Sequence, residues 1–359
     1  MRHSYLLLTA CLVYLFTACE PDFSLNAPYK DVTVVYGILN YQDSVQYVKI
    51  YKGFQSNESG GAFINAQNPD SIYYYDDINV VLQEYKDGRR TLRPNIRLGY
   101  THDFPRDAGT FYYGDERIIY YTPEPILKDM SYKIIITNKI TGQVTEGQTP
   151  IVDDFKITSS GMIDMLANPP KGVVSFSKAK HASGYEIHVN FVYFEVDKRT
   201  NEVVKIDRVV KNITPRTGER FQVNGVGDFM KDFAYTFYDD IAAQLRTNDD
   251  VIRFVGLPGK NGSCIEIEGW AAGESMINFL VSNQPTGSFA QINTIYTNME
   301  TSEDGLAFGF LSSRVKTLEK DGNTVRLAIT PASELELIRG PKTGHLGFRP
   351  WTEYRPNSN

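Results

Sequence analysis

The chain has 359 residues, a formal charge of −6, 42% hydrophobic residues and 22% charged ones. It is long enough to bury two cores and ordinary in composition for a globular protein. No block of Lys and Arg stands out along it, which excludes the electrostatic footprint of a nucleic-acid binder. Aromatic residues reach 13%, nearly all from 23 Tyr and 20 Phe. Such side chains favour half-buried strand faces, so a sheet-dominated fold is expected.

Residues 1–18 read as a removable export signal. Met1-Arg2-His3 is a short basic start, and the run from Tyr5 to Phe16 is apolar apart from Thr9, too short to span a bilayer comfortably. Thr17 and Ala18 are small residues directly before Cys19, so cleavage is expected after Ala18. The segment resembles bacterial lipoprotein signals, in which the cysteine thiol is diacylated and becomes the new N-terminus. It departs from them in carrying Leu15 one place early, with Phe16 in the usual leucine slot. The resemblance implies lipidation of Cys19 and attachment to the membrane through that lipid. Residues 19–30, with Pro21 and Pro28, follow as a polar tether. Once Cys11 leaves with the signal and Cys19 carries lipid, Cys264 stands alone and no intramolecular disulfide can form. The alternation in residues 263–268 predicts a strand there, with Cys264 a buried, inert thiol.

From residue 31 the pattern is that of strands. Val32, Val34, Tyr36 and Ile38 alternate with Thr33 and Val35, and Gly37 suggests a bulge. Residues 44–51, 78–85, 117–122, 131–138 and 143–149 continue as strands. Asp87-Gly88 is a hairpin turn signal and residues 139–142 form another turn. Short strands at this spacing predict an immunoglobulin-like or transthyretin-like sandwich over residues 31–150, with residues 57–77 as a loop over one end. Thr149-Pro150 and Asp153-Asp154 suggest a domain boundary.

Residues 151–348 read as α+β. Strands are predicted at 155–158, 172–177, 184–196 and 202–211, with a turn at 197–201. Tyr185, Ile187, Val189, Phe191 and Tyr193 share one face of the third of these strands. Helices are predicted at three places. Residues 228–246 carry Phe229, Phe233, Phe237, Ile241 and Leu245 at intervals of four. Residues 273–282 are a shorter candidate. Residues 331–339 have Thr330 as cap, Pro331 in the first turn and Gly340 at the end. Residues 349–359 form a Pro-rich tail whose Trp351 and Tyr354, with Phe348 just before it, suit docking on a partner or on the protein's own body.

Residues 31–54, 132–149, 279–298, 305–314 and the GHLGF block at 344–348 resemble a large family of uncharacterised Bacteroidota-type outer-membrane lipoproteins. In that family the turn after the block at 279–298 is compact, whereas here residues 299–304 lengthen it. The resemblance implies an N-terminal β-sandwich, placement at the cell surface or on the periplasmic face, and no established catalytic activity. It brings no site residues with it.

Signatures of chemistry are sparse. His102, His181, His188 and His345 have no metal-ligand spacing. No Gly-x-Ser-x-Gly elbow and no EF-hand calcium loop occurs. The segment 256–262 is Gly-rich without phosphate-loop spacing and reads as a turn between strands. No metal, no cofactor and no catalytic residue is therefore expected. Acidic pairs such as Asp76-Asp77 and Asp153-Asp154 arise from composition alone, although paired carboxylates in a cleft leave a surface glycan hydrolase as an alternative. The tyrosines are the remaining signal. Tyr73, Tyr74 and Tyr75, with Asp76 beside them, and Tyr112 and Tyr113 suit stacking and hydrogen bonding to a glycan or peptide, if at least one ring of each strand run faces solvent. The expected function is a non-enzymatic envelope lipoprotein. It would act as a binding or accessory subunit beside an outer-membrane transporter, or as a structural or adhesive lipoprotein.

Overall fold

Alternation with a period of two builds the first half. In the computed structural model the described residues are 32–53, 68–102, 118–167, 171–176, 178–213, 228–260, 262–283, 296–302, 305–317 and 325–356. The expected signal, cleavage site, lipidation site and tether, together with Tyr112 and Tyr113, lie outside them. The first strands are β1 (Val32–Leu39), β2 (Gln46–Lys52), β3 (Ile78–Lys86), β4 (Arg89–Arg90), β5 (Ile96–Thr101), β6 (Ile119–Thr122), β7 (Ser131–Asn138) and β8 (Val144–Pro150). β1 buries Thr33, Val35, Gly37 and Leu39. Its other face is equally apolar, so alternation alone leaves the inward side open. The tertiary structure settles it by packing Tyr36 outward against Phe279 and Phe310, with ring centroids 5.6 and 5.9 Å away. Gly37 is not a bulge: its register against both neighbouring strands is unbroken. A Cβ there would stand 2.7 Å from Leu311 Cδ1, so close packing accounts for the glycine. Asp87 and Gly88 both take positive φ (49° and 77°) between β3 and β4, the two-residue turn that Asp-Gly favours.

The second half adds β9 (Ile157–Asp164), β10 (Lys171–Phe176), β11 (Ala182–Asp197), β12 (Val203–Ile213), β13 (Val251–Val255), β14 (Ile265–Gly273), β15 (Met299–Thr301), β16 (Leu306–Lys316), β17 (Val325–Leu327) and β18 (Phe348–Arg349). Four α-helices occur among the described residues: α1 (Pro69–Ile72), α2 (Asp228–Gln244), α3 (Glu274–Ser282) and α4 (Pro331–Arg339). The first is a single turn inside what the sequence reads as a loop. At α4 the expected cap is in place, with Ser333 N–H donating to Thr330 Oγ1 at 3.3 Å. The molecule is thus mainly β with a few helices.

Among the described residues one mixed sheet of 16 strands runs β15-β8-β7-β3-β5-β6-β2-β1-β16-β14-β11-β13-β18, with β12 on β11, β17 on β14 and β4 on β3; β9 and β10 form a two-stranded sheet of their own. The strands of residues 32–150 and those that follow belong to the same sheet, because β1 pairs in parallel with β16 from Val32↔Leu306 to Leu39↔Ser313. Thr297 bridges Gly309 on β16 and Met299 pairs with Gly147 on β8. The path therefore returns to its own start around one core. That core holds Val35, Val48, Ile50, Leu82, Tyr132 and Ile134, and is completed by Met299 and Leu311 from far along the chain. Asn298 is its keystone. Its Nδ2 donates to Leu311 O and Ser275 Oγ at 2.9 Å each and to Gln148 O at 3.3 Å, and its Oδ1 accepts from Leu311 N–H at 3.0 Å.

A second core lies under α2, where Phe233, Phe237 and Ile241 pack on Phe191, Val189 and Ile265. Each such ring or branched chain contributes about 1.5–3 kcal/mol on burial. The intervals of four predicted from the sequence are what bring them to one face. Near residue 150 the halves are fastened together. Ser313 Oγ donates to Pro150 O at 2.7 Å and accepts from Val152 N–H at 2.9 Å. Tyr41 OH donates to Asp154 Oδ1, and the Gln42 amide exchanges both its bonds with the Lys316 backbone at 2.9 and 3.0 Å. The tail docks on the protein itself, with the Tyr354 ring 5.1 Å from Phe194 and 5.4 Å from Phe254.

Cys264 is fully buried just before β14, and burial pushes its thiol up to about 12. A thiolate is what reacts. Cys264 is therefore expected to resist a maleimide reagent in the native protein and to label fully in guanidinium; rapid native labelling would show that the core opens.

Candidate functional site

The tyrosine triplet does not form a strand. Asn68 caps α1, its Oδ1 accepting from Asp70 N–H at 3.1 Å, and Pro69 suits the first turn. The turn ends at Tyr73, whose N–H donates to Pro69 O at 2.8 Å. This places the Tyr73 and Tyr74 rings inward, each only 2% exposed. Tyr74 OH bonds Thr33 Oγ1 at 3.0 Å and donates to Val32 O at 3.3 Å, while Lys52 Nζ stands 5.2 Å from the Tyr74 ring centroid. Tyr75 is half-buried and takes φ 47°, a left-handed conformation that is uncommon for a bulky residue and stores strain. Its carbonyl accepts from Tyr120 OH at 2.9 Å, which helps hold it there. Asp76 is exposed and accepts from Tyr100 OH at 3.4 Å, and its carbonyl accepts from Lys139 Nζ at 2.6 Å.

What emerges is an aromatic end to the first core. Tyr73 touches Tyr51 (5.9 Å between centroids) and Tyr75 (6.2 Å), and Tyr100 meets His102 (5.6 Å) and Tyr120 (6.1 Å). Burial and the Asp76 carboxylate push the Tyr100 phenol up. Burial drives the Tyr120 phenol up much further. Both stay neutral at physiological pH and serve as hydrogen-bonding groups. The reachable part of this cluster is the rim of Tyr75, Asp76, Tyr100 and His102, with Lys52 and Lys139 beside it. Sequence reasoning picked out Tyr75 and Asp76 but passed over Tyr100, His102 and the two lysines, which come from separate strands and turns. A ring, a carboxylate and neighbouring cations can stack on and hydrogen-bond a polar ligand.

At the other end of β3 from this rim, a buried carboxylate has a structural role. Glu84 accepts from Tyr132 OH at 2.7 Å, Arg93 Nη1 at 3.0 Å and Thr91 Oγ1 at 3.0 Å. Burial pushes its carboxyl up, but the bonds from Tyr132, Arg93 and Thr91 outweigh that and hold it below the usual carboxylate range. With a folded pKa below the unfolded one, the unfolded state binds more protons on acidification. The contribution is therefore complete above about 4.3 and is lost as pH falls through the folded value. Glu84→Gln is expected to cost about 1–3 kcal/mol near neutrality and to flatten the acid limb of stability in urea melts from about pH 6 to 3. An unchanged acid limb would remove Glu84 from that role.

Elsewhere, His188 Nε2 donates to Glu186 Oε1 at 2.7 Å, and its ring lies 4.6 Å from the Trp270 ring. Among the described residues no group of three His, Cys, Asp or Glu is placed to hold a metal ion, and no helix is long and apolar enough to cross a membrane. Compared with protein-family models, curated proteins and solved structures, the chain matches none of them.

Proposed function

We propose that this protein is an envelope lipoprotein, held on the outer membrane through a diacylated Cys19 after cleavage at Ala18. It acts as a non-catalytic binding or accessory subunit beside an outer-membrane transporter. The observation that carries the reading is the sequence of residues 1–19: a basic start, an apolar run and small residues ending on a cysteine. Two acyl chains are what stable anchoring needs. The ligand we assign is a glycan or peptide, taken at the rim of Tyr75, Asp76, Tyr100 and His102.

Residues 31–150 are read as an immunoglobulin-like sandwich. Support comes from Tyr132, second residue of β7, whose OH accepts from Leu127 N–H at 3.0 Å. A strand-initial tyrosine bonding the backbone a few residues upstream is the corner such sandwiches use.

Mass spectrometry of the protein taken from its own membranes is expected to find a mature chain starting at diacylated Cys19, and Cys19→Ala is expected to leave it unanchored. A start elsewhere, or an unmodified thiol, ends the anchoring claim. Affinity capture from those membranes should recover a transporter. Recovery of no envelope protein, together with no binding to glycan or peptide arrays, ends the accessory role.

A further inference from the structure

β12 is the longest strand that the described residues leave with one open side. It pairs with β11 in regular register from Ile187↔Ile213 to Glu195↔Lys205, beyond which Val204 is one residue extra before Val196↔Val203, and among the described residues no strand lies on its other side. An open edge offers a row of N–H and C=O groups to another strand, and proteins commonly shorten, bend or charge such edges to prevent this. β12 carries Lys205, Asp207, Arg208 and Lys211, yet it runs 11 residues and its first half exposes Val203, Val204 (56%) and Ile206 (49%). Val209 faces the core under α2, so α2 covers a face of the strand and not this edge.

We propose that two copies of the chain associate by antiparallel pairing of β12 with β12, with Ile206 on the two-fold axis. A two-fold interface must be complementary to itself, and this strand is. Centred on Ile206, Lys205 of each copy lies opposite Asp207 of the other, within the part of β12 whose register on β11 is regular. Centring one residue earlier sets Lys205 against Lys205, and one residue later sets Asp207 against Asp207. Charge selects the register. Lys205 and Asp207 already pair within each copy, at 2.5 Å, with side chains 54% and 35% exposed. They can share that pairing across the axis without leaving a buried charge alone. Ile206 on one copy then covers Ile206 on the other, which removes the exposed apolar row from water.

The test uses the full chain in mild detergent. Sedimentation at tens of micromolar is expected to give a protein mass of two chains. Ile206→Lys, which sets two ammonium groups on the axis, is expected to give one chain that still unfolds in a single cooperative transition. Under mild oxidation Ile206→Cys should form a covalent dimer, since directly opposite Cβ atoms lie about 5 Å apart. Val204→Cys should not, because its twin stands about 13 Å away along the strand. A monomeric wild type, a dimer that survives Ile206→Lys, or equal cross-linking at positions 204 and 206 would each overturn the proposal.

Discussion

Gly309→Ala is expected to be the most damaging glycine-to-alanine change among the described residues. Gly309 sits on β16 where three segments meet, opposite Val35 on β1 and bridged to Thr297 on its other side. Its φ is +87°, and a Cβ there would fall 1.9 Å from Val35 O and 2.8 Å from Val35 C. Neither atom is the end of a flexible chain, so β1 and β16 would have to part. The backbone conformation alone costs about 1–3 kcal/mol in a non-glycine residue, and separating the strands adds the loss of their hydrogen bonds and of the core beneath. Gly142 is the control: its φ is +77°, and a methyl group added there would meet nothing within 4 Å. Gly142→Ala should therefore show only the backbone cost, about 1 kcal/mol or slightly more. Urea unfolding of the two variants separates clash from strain. Equal losses would mean that the sheet does not close at Gly309.

Arg253→Met is expected to destabilise by about 3–5 kcal/mol, the range for removing one partner of a buried ion pair. Arg253 and Glu195 are cross-strand partners on β13 and β11, with side chains 6% and 11% exposed and Nε to Oε1 at 2.9 Å. The guanidinium also donates to Leu346 O at 2.9 Å and Arg246 O at 2.8 Å. One cation thus ties the sheet to the chain leaving α2 and to the turn before β18. Removal strands a buried carboxylate and two carbonyls. The double change Arg253→Met with Glu195→Leu should recover part of the loss, because it removes the lone charge but not the two unmet carbonyls. Chemical denaturation of the three variants measures the recovery; none at all would place the cost in packing and not in charge.

Local patterns in the chain account for most elements. Asp87-Gly88 takes the two positive φ values that its residue types permit, the intervals of four in α2 bury Phe233, Phe237 and Ile241, and Thr330 caps α4. These depend on neighbours within a few positions, which a sequence displays directly. The candidate rim was only partly legible. Tyr73 and Tyr74 carry the same side chain as Tyr75, yet α1 turns their rings into the core, and Tyr100, His102, Lys52 and Lys139 arrive from other strands and turns.

The residue order by itself determined most of the strands and the three longer helices, though not α1, β5, β13 or β16, together with the apolar face of the long strand β11 and the burial of Cys264. Only the tertiary structure decided that β1 joins β16 some 274 positions away, as the Gln42–Lys316 contact also does. It alone decided that Met299 and Leu311 complete the first core and that Arg253 meets Glu195. The physical reason is that pairing between distant strands is chosen by shape, by backbone hydrogen bonds that every residue offers alike, and by the absence of a Cβ at positions such as Gly309, none of which leaves a periodic mark on the chain.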